Sequence, residues 1–450
     1  MALPQEINKI IWRYMNENGF QHSAFIFKKE SMLDSFDSTD SQIPSNTLIT
    51  LLQKALLFNR LEKIIKEAKS NPEHPLHKSI NEIEEMFADD AHIFSSNYNP
   101  HIRSFLKLDA SNSLILHGHK KIVYACDWSS DGKSLASGSE DGSIIIWYLG
   151  DGKYTGNQII QTSNQNPEEH GISSIDWSSN SDLFAAGSFD YFVRIYKGSG
   201  TLIGEFREHT KSVFNIKFNP AGTYLVSWSA DKTTVLWNVN TLSVEHVFNS
   251  EEAILDIAWK DNTTFAAGSG DRTVGICSVK GDHFLLGGHT NHVSVVAWNC
   301  DSSLLASGSE DNTIRIWVTP QFTTITVLQY HQSGITCLKW SPVYSNLVIS
   351  SSHDGFVYMC DAISGELIRE IYHHLGNVIS LSMTSNGKFL VSGGNSGLIV
   401  VSDLETGNLV ASFQGSSPLF DIKWDPSGNY VAACFEDSNV AVIPLMSYLQ

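Results

Sequence analysis

The sequence predicts a mainly β protein, an eight-bladed β-propeller preceded by a small α-helical module. Two observations carry that expectation. From about residue 112 onward a unit of roughly forty residues recurs eight times, and a four-stranded unit at that period builds a propeller. Ahead of the repeats lies a stretch whose apolar residues return at helical spacing.

The repeat is clearest in LASGSEDGSIIIW (Leu135–Trp147), LVSWSADKTTVLW (Leu225–Trp237) and LASGSEDNTIRIW (Leu305–Trp317). Aligned on the turn residue, the anchors are Asp141, Asp190, Asp231, Asp271, Asp311, Asp354, Ser396 and Asp437, spaced 49, 41, 40, 40, 43, 42 and 41 residues apart. Within each unit apolar and polar residues alternate, and an Asp-Gly or similar pair separates two apolar runs, as in a hairpin. One such blade cannot bury both of its faces, so eight must stack around an axis. Closure of the last blade onto the first removes an exposed edge. Residues Ser113–Leu116, just before the first Gly-His, are expected to supply the outer strand of the last blade.

This pattern of Gly-His, Ser, Asp and Trp resembles the WD40 signature over about three-quarters of the chain. The resemblance implies that the four residues hydrogen-bond within a blade and lock it. Three blades carry all four: His119, Ser137, Asp141 and Trp147; His209, Ser227, Asp231 and Trp237; His289, Ser307, Asp311 and Trp317. Elsewhere the set is incomplete. Cys360 stands at the Trp position beside His331, Ser350 and Asp354, and Ser396 and Ser402 replace Asp and Trp beside His374 and Ser392. The second, fourth and eighth blades lack the His.

A Ser, His and Asp together invite a hydrolase reading. Here the trio recurs blade after blade, whereas a nucleophile needs one exposed position beside an oxyanion site, and no G-x-S-x-G elbow occurs. The structural reading is preferred and no enzyme activity is expected. No HExxH, H-x-x-x-H, P-loop or Rossmann glycine run is present, so no metal, cofactor or nucleotide site is expected.

Residues 5–29 read as two short helices, with Ile7, Ile10, Ile11, Tyr14 and Met15 on one face, a stop at Asn18-Gly19, and a second apolar run from Phe20 through Ala24 and Phe25. A third stripe over Thr47–Lys69 includes Leu52 and Leu56. So much apolar surface on so short a segment calls for a second copy of the chain. The order Ile10-Ile11, Tyr14, Gly19-Phe20, Ala24-Phe25 resembles a LisH dimerisation motif; a helical cap on the propeller is the alternative. The expected domains are 1–69, a LisH/F-box-like oligomerisation module; 70–104, a linker; and 105–450, the propeller.

The formal charge is −18, with 10 basic against 14 acidic residues in 1–100 and 20 against 34 in the remainder. That balance argues against direct nucleic-acid binding and suits partners with basic segments. The six cysteines form no CxxC pair and read as buried thiols in a reducing compartment. No run of about 18 apolar residues occurs, and neither a membrane span nor a secretory signal is expected. Composition leaves cytoplasm and nucleus equally open.

The run WRYMNENGFQHSAFIFKKES (Trp12–Ser31), LITLLQKAL (Leu48–Leu56) and the eight repeats resemble the transducin β-like corepressor family of F-box-like/WD-repeat proteins. Its members usually carry a long low-complexity linker, where this chain has about 30 residues. The resemblance implies a nuclear, non-enzymatic scaffold of a corepressor and histone deacetylase complex. Ile10, Ile11, Tyr14, Phe20, Phe25, Leu52 and Leu56 would serve oligomerisation, to a dimer or tetramer, and corepressor binding. Propellers of this type most often meet peptides, including histone tails, on the narrow face bearing the Gly-His loops. By register that face holds Ile122, Tyr124, Glu140, Phe189, Phe214, Leu255, His292, Glu310, Asn377, Phe420 and Glu436. The alternative function is a substrate receptor or adaptor for ubiquitin ligation, separable by which partners co-purify.

Overall fold

The computed structural model describes residues 106–108, 113–150, 153–162, 171–374 and 376–445. The residues singled out above between Ile10 and Leu56 lie outside them. The chain divides into two units, 1–100 and 101–450, and every described residue belongs to the second.

That second unit is an eight-bladed propeller. Blade 1 consists of Val123–Trp128, Ser134–Ser139, Ser143–Gly150 and Lys153–Gln161, antiparallel in that order. The innermost strands of blades 2 to 8 are Ile172–Trp177, Val213–Phe218, Ile254–Trp259, Val293–Trp298, Ile335–Trp340, Val378–Met383 and Leu419–Trp424. Each packs against the next, and that of blade 8 returns to that of blade 1.

Closure comes from Leu114–His117, which pairs antiparallel with Asn439–Pro444 as the outer strand of blade 8. An addition that alternation did not reveal is Leu106–Leu108. It runs parallel to Leu409–Gln414 and gives blade 7 a fifth strand. Three residues are too short a run to carry a period-2 signal.

The hydrophobic core is divided into one cluster per blade junction. At the closing seam Leu116, Val123, Cys126 and Trp147 meet Cys434, Val440 and Val442 from the far end of the chain. Four of the six cysteines are buried; Cys337 is half-buried and Cys300 is exposed, because Cys300 falls in a turn rather than an apolar run.

Each blade turns between its second and third strands in one way. The residue after the anchor adopts a left-handed conformation in all eight blades, from Gly142 (φ 75°) to Ser438 (φ 69°), which is why Asp-Gly recurs there. The anchor's side-chain oxygen accepts the amide two residues on, as from Ser143 to Asp141 at 2.8 Å and from Thr313 to Asp311 at 3.0 Å.

Carboxylates on the inner strands staple neighbouring blades. Asp127 Oδ2 accepts the Trp177 amide at 2.9 Å, Asp176 Oδ2 the Phe218 amide at 2.7 Å, and Asp256 Oδ2 the Val296 amide at 3.0 Å. Burial raises Asp127 and Asp176 above the usual carboxylate range, and for Asp176 the charge on Asp127 adds to it; Lys217 and Lys423 oppose the rise in Asp176. A carboxylate raised in the fold contributes stability that is complete below its unfolded value, near pH 4, and is lost as pH rises through the folded value. Asp176→Asn keeps an acceptor for Phe218 and removes the charge. The variant should therefore melt higher than the parent at pH 8 and show no such advantage at pH 4.5, as read by thermal unfolding at both pH values.

Candidate functional site

The His, Ser, Asp and Trp sets form buried relays. In blade 5 the Trp317 indole donates to Ser307 Oγ at 2.8 Å, Ser307 Oγ lies 2.8 Å from His289 Nε2, and His289 Nδ1 lies 3.0 Å from Asp311 Oδ2. Blade 3 repeats this with Trp237, Ser227, His209 and Asp231 at 2.8, 2.8 and 3.1 Å. Chemistry fixes every proton. A carboxylate only accepts, so Nδ1–H must donate to it; Nε2 then accepts the serine hydroxyl, whose lone pair is left for the indole. The scheme closes only with neutral imidazole. Accordingly burial lowers His289 and His209, overcoming the pull of Asp311 and Asp231. Burial alone would raise Asp311, but the Thr313 hydroxyl, the Thr290 amide and His289 together bring it down to about 2.

The relays differ in detail between blades. In blade 1 His119 stands 3.8 Å from Asp141, and Ser143 bridges them: His119 Nδ1 reaches Ser143 Oγ at 2.8 Å, and that hydroxyl donates to Asp141 at 2.5 Å. Trp147 and His119 still meet on Ser137 at 2.8 and 2.7 Å. Blade 6 keeps His331 on Asp354 at 3.0 Å and on Ser350 at 2.9 Å, and Tyr358 packs against the imidazole with ring centroids 4.8 Å apart. Blade 2, which lacks the histidine, uses a cation. Arg194, 3% exposed, forks onto Asp190 at 3.1 and 2.7 Å and reaches Glu205 at 3.0 Å. The repeat pattern did not reveal this group: blade 5 also carries Arg at the equivalent position, Arg315, and the signal in the sequence is an arginine in a blade that lacks the histidine. None of these trios is shaped for nucleophilic attack: Ser137, Ser227 and Ser307 are fully buried, and each oxygen is already engaged by indole and imidazole.

The channel mouth is built by a repeated irregularity. In all eight blades the register slips after the first residue of the inner strand, leaving the second residue unpaired in a β-bulge. A bulge re-aims a side chain. The residues so placed are Tyr124, Ser173, Phe214, Leu255, Ser294, Thr336, Ile379 and Phe420. Four of them, Tyr124, Phe214, Leu255 and Phe420, are among the residues picked from the sequence. The hydroxyls are tied down instead: Ser173 donates to Val213 O at 2.7 Å, and Thr336 meets Ser351 at 2.9 Å. The apolar members therefore dominate what the mouth offers, with Phe214 40% and Leu255 39% exposed.

Tyr124 sits at the centre of a three-ring cluster. Its ring centroid lies 5.6 Å from Phe189 and 5.4 Å from Phe420, both edge-on. Burial and then the negative charge of Glu140 raise its phenol. Glu140 also meets Lys121 at 3.3 Å. Residues before the anchors share one level, since their amides bond to the loop carbonyls: Glu140 to Ile122, Glu310 to His292, Glu436 to Pro418. Glu310 faces His353 at 3.6 Å, while the His292 ring binds the Gly270 carbonyl of the preceding blade, and Asn377 O accepts the Asn395 amide at 3.2 Å. His292 thus spends its ring on the preceding blade's turn, whereas Tyr124, Phe189, Phe420 and Glu140 form one continuous patch over blades 8, 1 and 2. Among the described residues there is no cluster of His, Cys, Asp or Glu able to hold a metal ion, and no helix is long and apolar enough to cross a membrane.

Two substitutions test the relays. Arg194→Met leaves Asp190 charged without its fork, and should cost about 3–5 kcal/mol in urea unfolding. Asp311→Ala removes the acceptor of the Thr290 and Thr313 amides and leaves His289 Nδ1 only the Thr313 hydroxyl at 3.4 Å, and should cost about 1–3 kcal/mol at pH 7. Both His289 and Asp311 have lowered folded values, so their contribution is complete above the unfolded values. It is lost on acidification, first below about pH 6.5 for the histidine and then from about pH 4 toward pH 2 for the carboxylate. The Asp311→Ala penalty should therefore shrink as the pH falls toward 3.

The sequence model of the WD domain, G-beta repeat family matches residues 111–148, 161–197, 200–238, 283–318, 322–361, 365–403 and 407–443, and that of LisH matches 5–31. Seven repeats match where the fold has eight blades. The unmatched blade 4 lacks the histidine and has Cys277 where Trp is usual. The chain is 28% identical to the human F-box-like/WD repeat-containing protein TBL1Y over 98% of its own length and 99% of the relative's, and 28% identical to the mouse F-box-like/WD repeat-containing protein TBL1X over 98% of each. It is 21% identical to the SIR4-interacting protein SIF2 of Saccharomyces cerevisiae over 98% and 99%. The solved C-terminal WD40 domain of Sif2 superposes with a TM-score of 0.66 at 20% identity, covering 76% of this chain and 99% of that one, which speaks to the fold. The resemblance to F-box-like/WD-repeat proteins thus extends along nearly the whole chain, and with the repeat model matching more than half of its residues the chain belongs to the WD domain, G-beta repeat family.

Proposed function

We propose that this protein is a non-enzymatic scaffold subunit of a nuclear corepressor and histone deacetylase complex. In this reading the LisH-containing N-terminal module oligomerises the chain and binds corepressor, and the channel mouth docks a basic peptide such as a histone tail. The observation that carries the reading is the joint presence of a LisH match and a propeller in a chain similar over 98% of its length to F-box-like/WD-repeat relatives. The mouth supports the second half: aromatic faces attract Lys and Arg, and Glu140 supplies a counter-charge at the same patch. A net charge of −18 favours encounter with basic partners. The relatives' description as F-box-like favours a second reading, an adaptor for ubiquitin ligation built from the same parts.

Affinity purification of the full chain with mass spectrometry separates the two: deacetylase and corepressor subunits are expected, and cullin or ubiquitin-conjugating enzymes in their place would favour the adaptor. Light scattering should find an oligomer that Ile11→Glu with Phe25→Glu reduces to a monomer. At the mouth, Tyr124→Ala with Phe420→Ala should weaken binding of a lysine-rich histone-tail peptide by about tenfold or more while the circular dichroism is unchanged. Undiminished binding would move the site elsewhere.

A further inference from the structure

Blades 2 and 5 carry an arginine at the same place in their third strands, Arg194 in DYFVRIY and Arg315 in DNTIRIW. Arg194 is met twice, by the anchor Asp190 and by Glu205 on the neighbouring strand. Arg315 has neither partner. Its anchor, Asp311, accepts from His289 and from the amides of Thr290 and Thr313 instead. The residue paired with it across the strands, where blade 2 has Glu205, is Val327. Among the described residues Arg315 makes no hydrogen bond and no ion pair, and its Nε is shut off from solvent without an acceptor. A guanidinium keeps its proton, so the charge cannot be shed, and a covered donor left unmet is costly.

The place of this charge is fixed by its neighbours. The guanidinium lies against Gly288, in the loop that enters blade 5: a Cβ there would stand 2.9 Å from Nη1 and 3.1 Å from Cζ. Ile314 and Ile316 pack toward blade 6, so Arg315 between them faces the outer rim of the junction with blade 4, as Trp317 does. On that rim Val327 is 36% exposed. Across the junction Leu286 packs inward, and Phe284, two residues earlier on the same face, is 48% exposed with its ring 5.2 Å from Phe322. The rim thus offers a half-buried cation beside Gly288 and a pair of aromatic rings further along. The outer strand of blade 5, TTITVL (Thr323–Leu328), is uncharged, and no further strand pairs with it. In blade 7 the same edge already receives an extended segment, Leu106–Leu108. An open strand edge with an unmatched cation beside it calls for an extended chain carrying an acid.

We propose that the outer rim between blades 4 and 5 is a docking site for an extended acidic peptide of a partner protein. Its Asp or Glu carboxylate takes the fork of Arg315, and a large apolar side chain of the same peptide packs on Phe284 and Phe322. Val327 and Phe322 stand five residues apart along the blade 5 edge with a bulge between, so the acid and the apolar group belong on one face of the peptide, two or four residues apart. This rim is separate from the channel mouth assigned to basic peptides and takes the opposite charge, so the two stand or fall separately.

The test uses fluorescein-labelled decapeptides in a Ser/Thr background, each with one Asp or Glu placed two or four residues before or after a Leu or Phe. Controls carry Asn or Gln for the acid. Binding to the full chain is read by fluorescence anisotropy. At least one acidic peptide should bind, and its amide control should bind about tenfold more weakly or not at all. Arg315→Gln should weaken the acidic peptide to the level of its control, and Phe284→Ser should weaken it by about tenfold. Val327→Glu is the decisive variant. It sets an acid opposite Arg315 as Glu205 stands opposite Arg194, so it should abolish peptide binding while the chain melts no lower than the parent. Tyr124→Ala with Phe420→Ala, at the mouth, should leave this binding unchanged. The proposal is overturned if no acidic peptide binds better than its amide control, if binding survives Arg315→Gln or Val327→Glu, or if Val327→Glu melts below the parent. Loss of lysine-rich peptide binding in the mouth variants bears on that other site alone.

Discussion

Each blade is a sheet with two apolar faces, and neither face is covered until a neighbour arrives on each side. The ring has no free end to spare, so everything rests on the seam where Leu114–His117 joins Asn439–Pro444. These strands lie more than three hundred residues apart in sequence, and closing such a loop carries an entropic cost that local turns do not. The seam offsets it by burying Leu116, Val123 and Trp147 against Cys434, Val440 and Val442, and by the Trp128 indole bonding to the Lys423 carbonyl at 3.3 Å. The three-ring patch of Tyr124, Phe420 and Phe189 spans that same seam. Its geometry therefore exists only in the closed ring.

The relays explain how buried polar groups coexist with so apolar an interior. A histidine with two obligatory ring nitrogens is a poor core residue unless both are met, and in blades 3 and 5 serine and aspartate meet them in the one protonation state that also satisfies tryptophan. Blade 2 arrives at the same end by a different route. With no histidine available, Arg194 supplies two parallel donors to Asp190, and an arginine can do this at any pH because it does not lose its proton. In blades 2, 3 and 5 the anchor aspartate is thus the constant of the motif and its donor is the variable.

Most of the fold was legible because it is repeated. A single blade's alternation is ambiguous, but eight copies at one period are not, and the anchor spacing alone counts the blades. What the repeat could not reveal are the places where one copy differs from the rest. Arg194 shares its position with Arg315 of blade 5, but in blade 2 the arginine takes the place of the missing histidine on the anchor, and that partner is set by strand geometry. Leu106–Leu108 pairs in parallel with a strand three hundred residues away, which no local pattern encodes. Ser143 steps between His119 and Asp141 because those two stand too far apart in blade 1. At the mouth, register placed Tyr124 and Phe420 on the right level, while the bulge that turns them there appears only in the strand pairing. His292 was legible as a position but not as a partner, since its ring bonds to the turn of the preceding blade.

A repeat protein acquires specificity where its copies differ. Residues common to all blades build the ring and are spent on it, so recognition must come from deviations. On one end the deviations are the bulge residues, which are hydroxyls tied to other strands in blades 2, 5 and 6 and aromatics in blades 8, 1 and 3. On the other they are the turns after the inner strands, of which that of blade 6 alone carries large apolar side chains, Val343 and Tyr344. The bulge and the turn each sit at an end of an inner strand whose middle is fixed by packing and by carboxylate staples such as Asp127 to Trp177. A change at one end leaves the middle, and hence the other end, in place. The propeller can therefore vary its two surfaces independently, a property suited to a scaffold that must hold unlike partners at once.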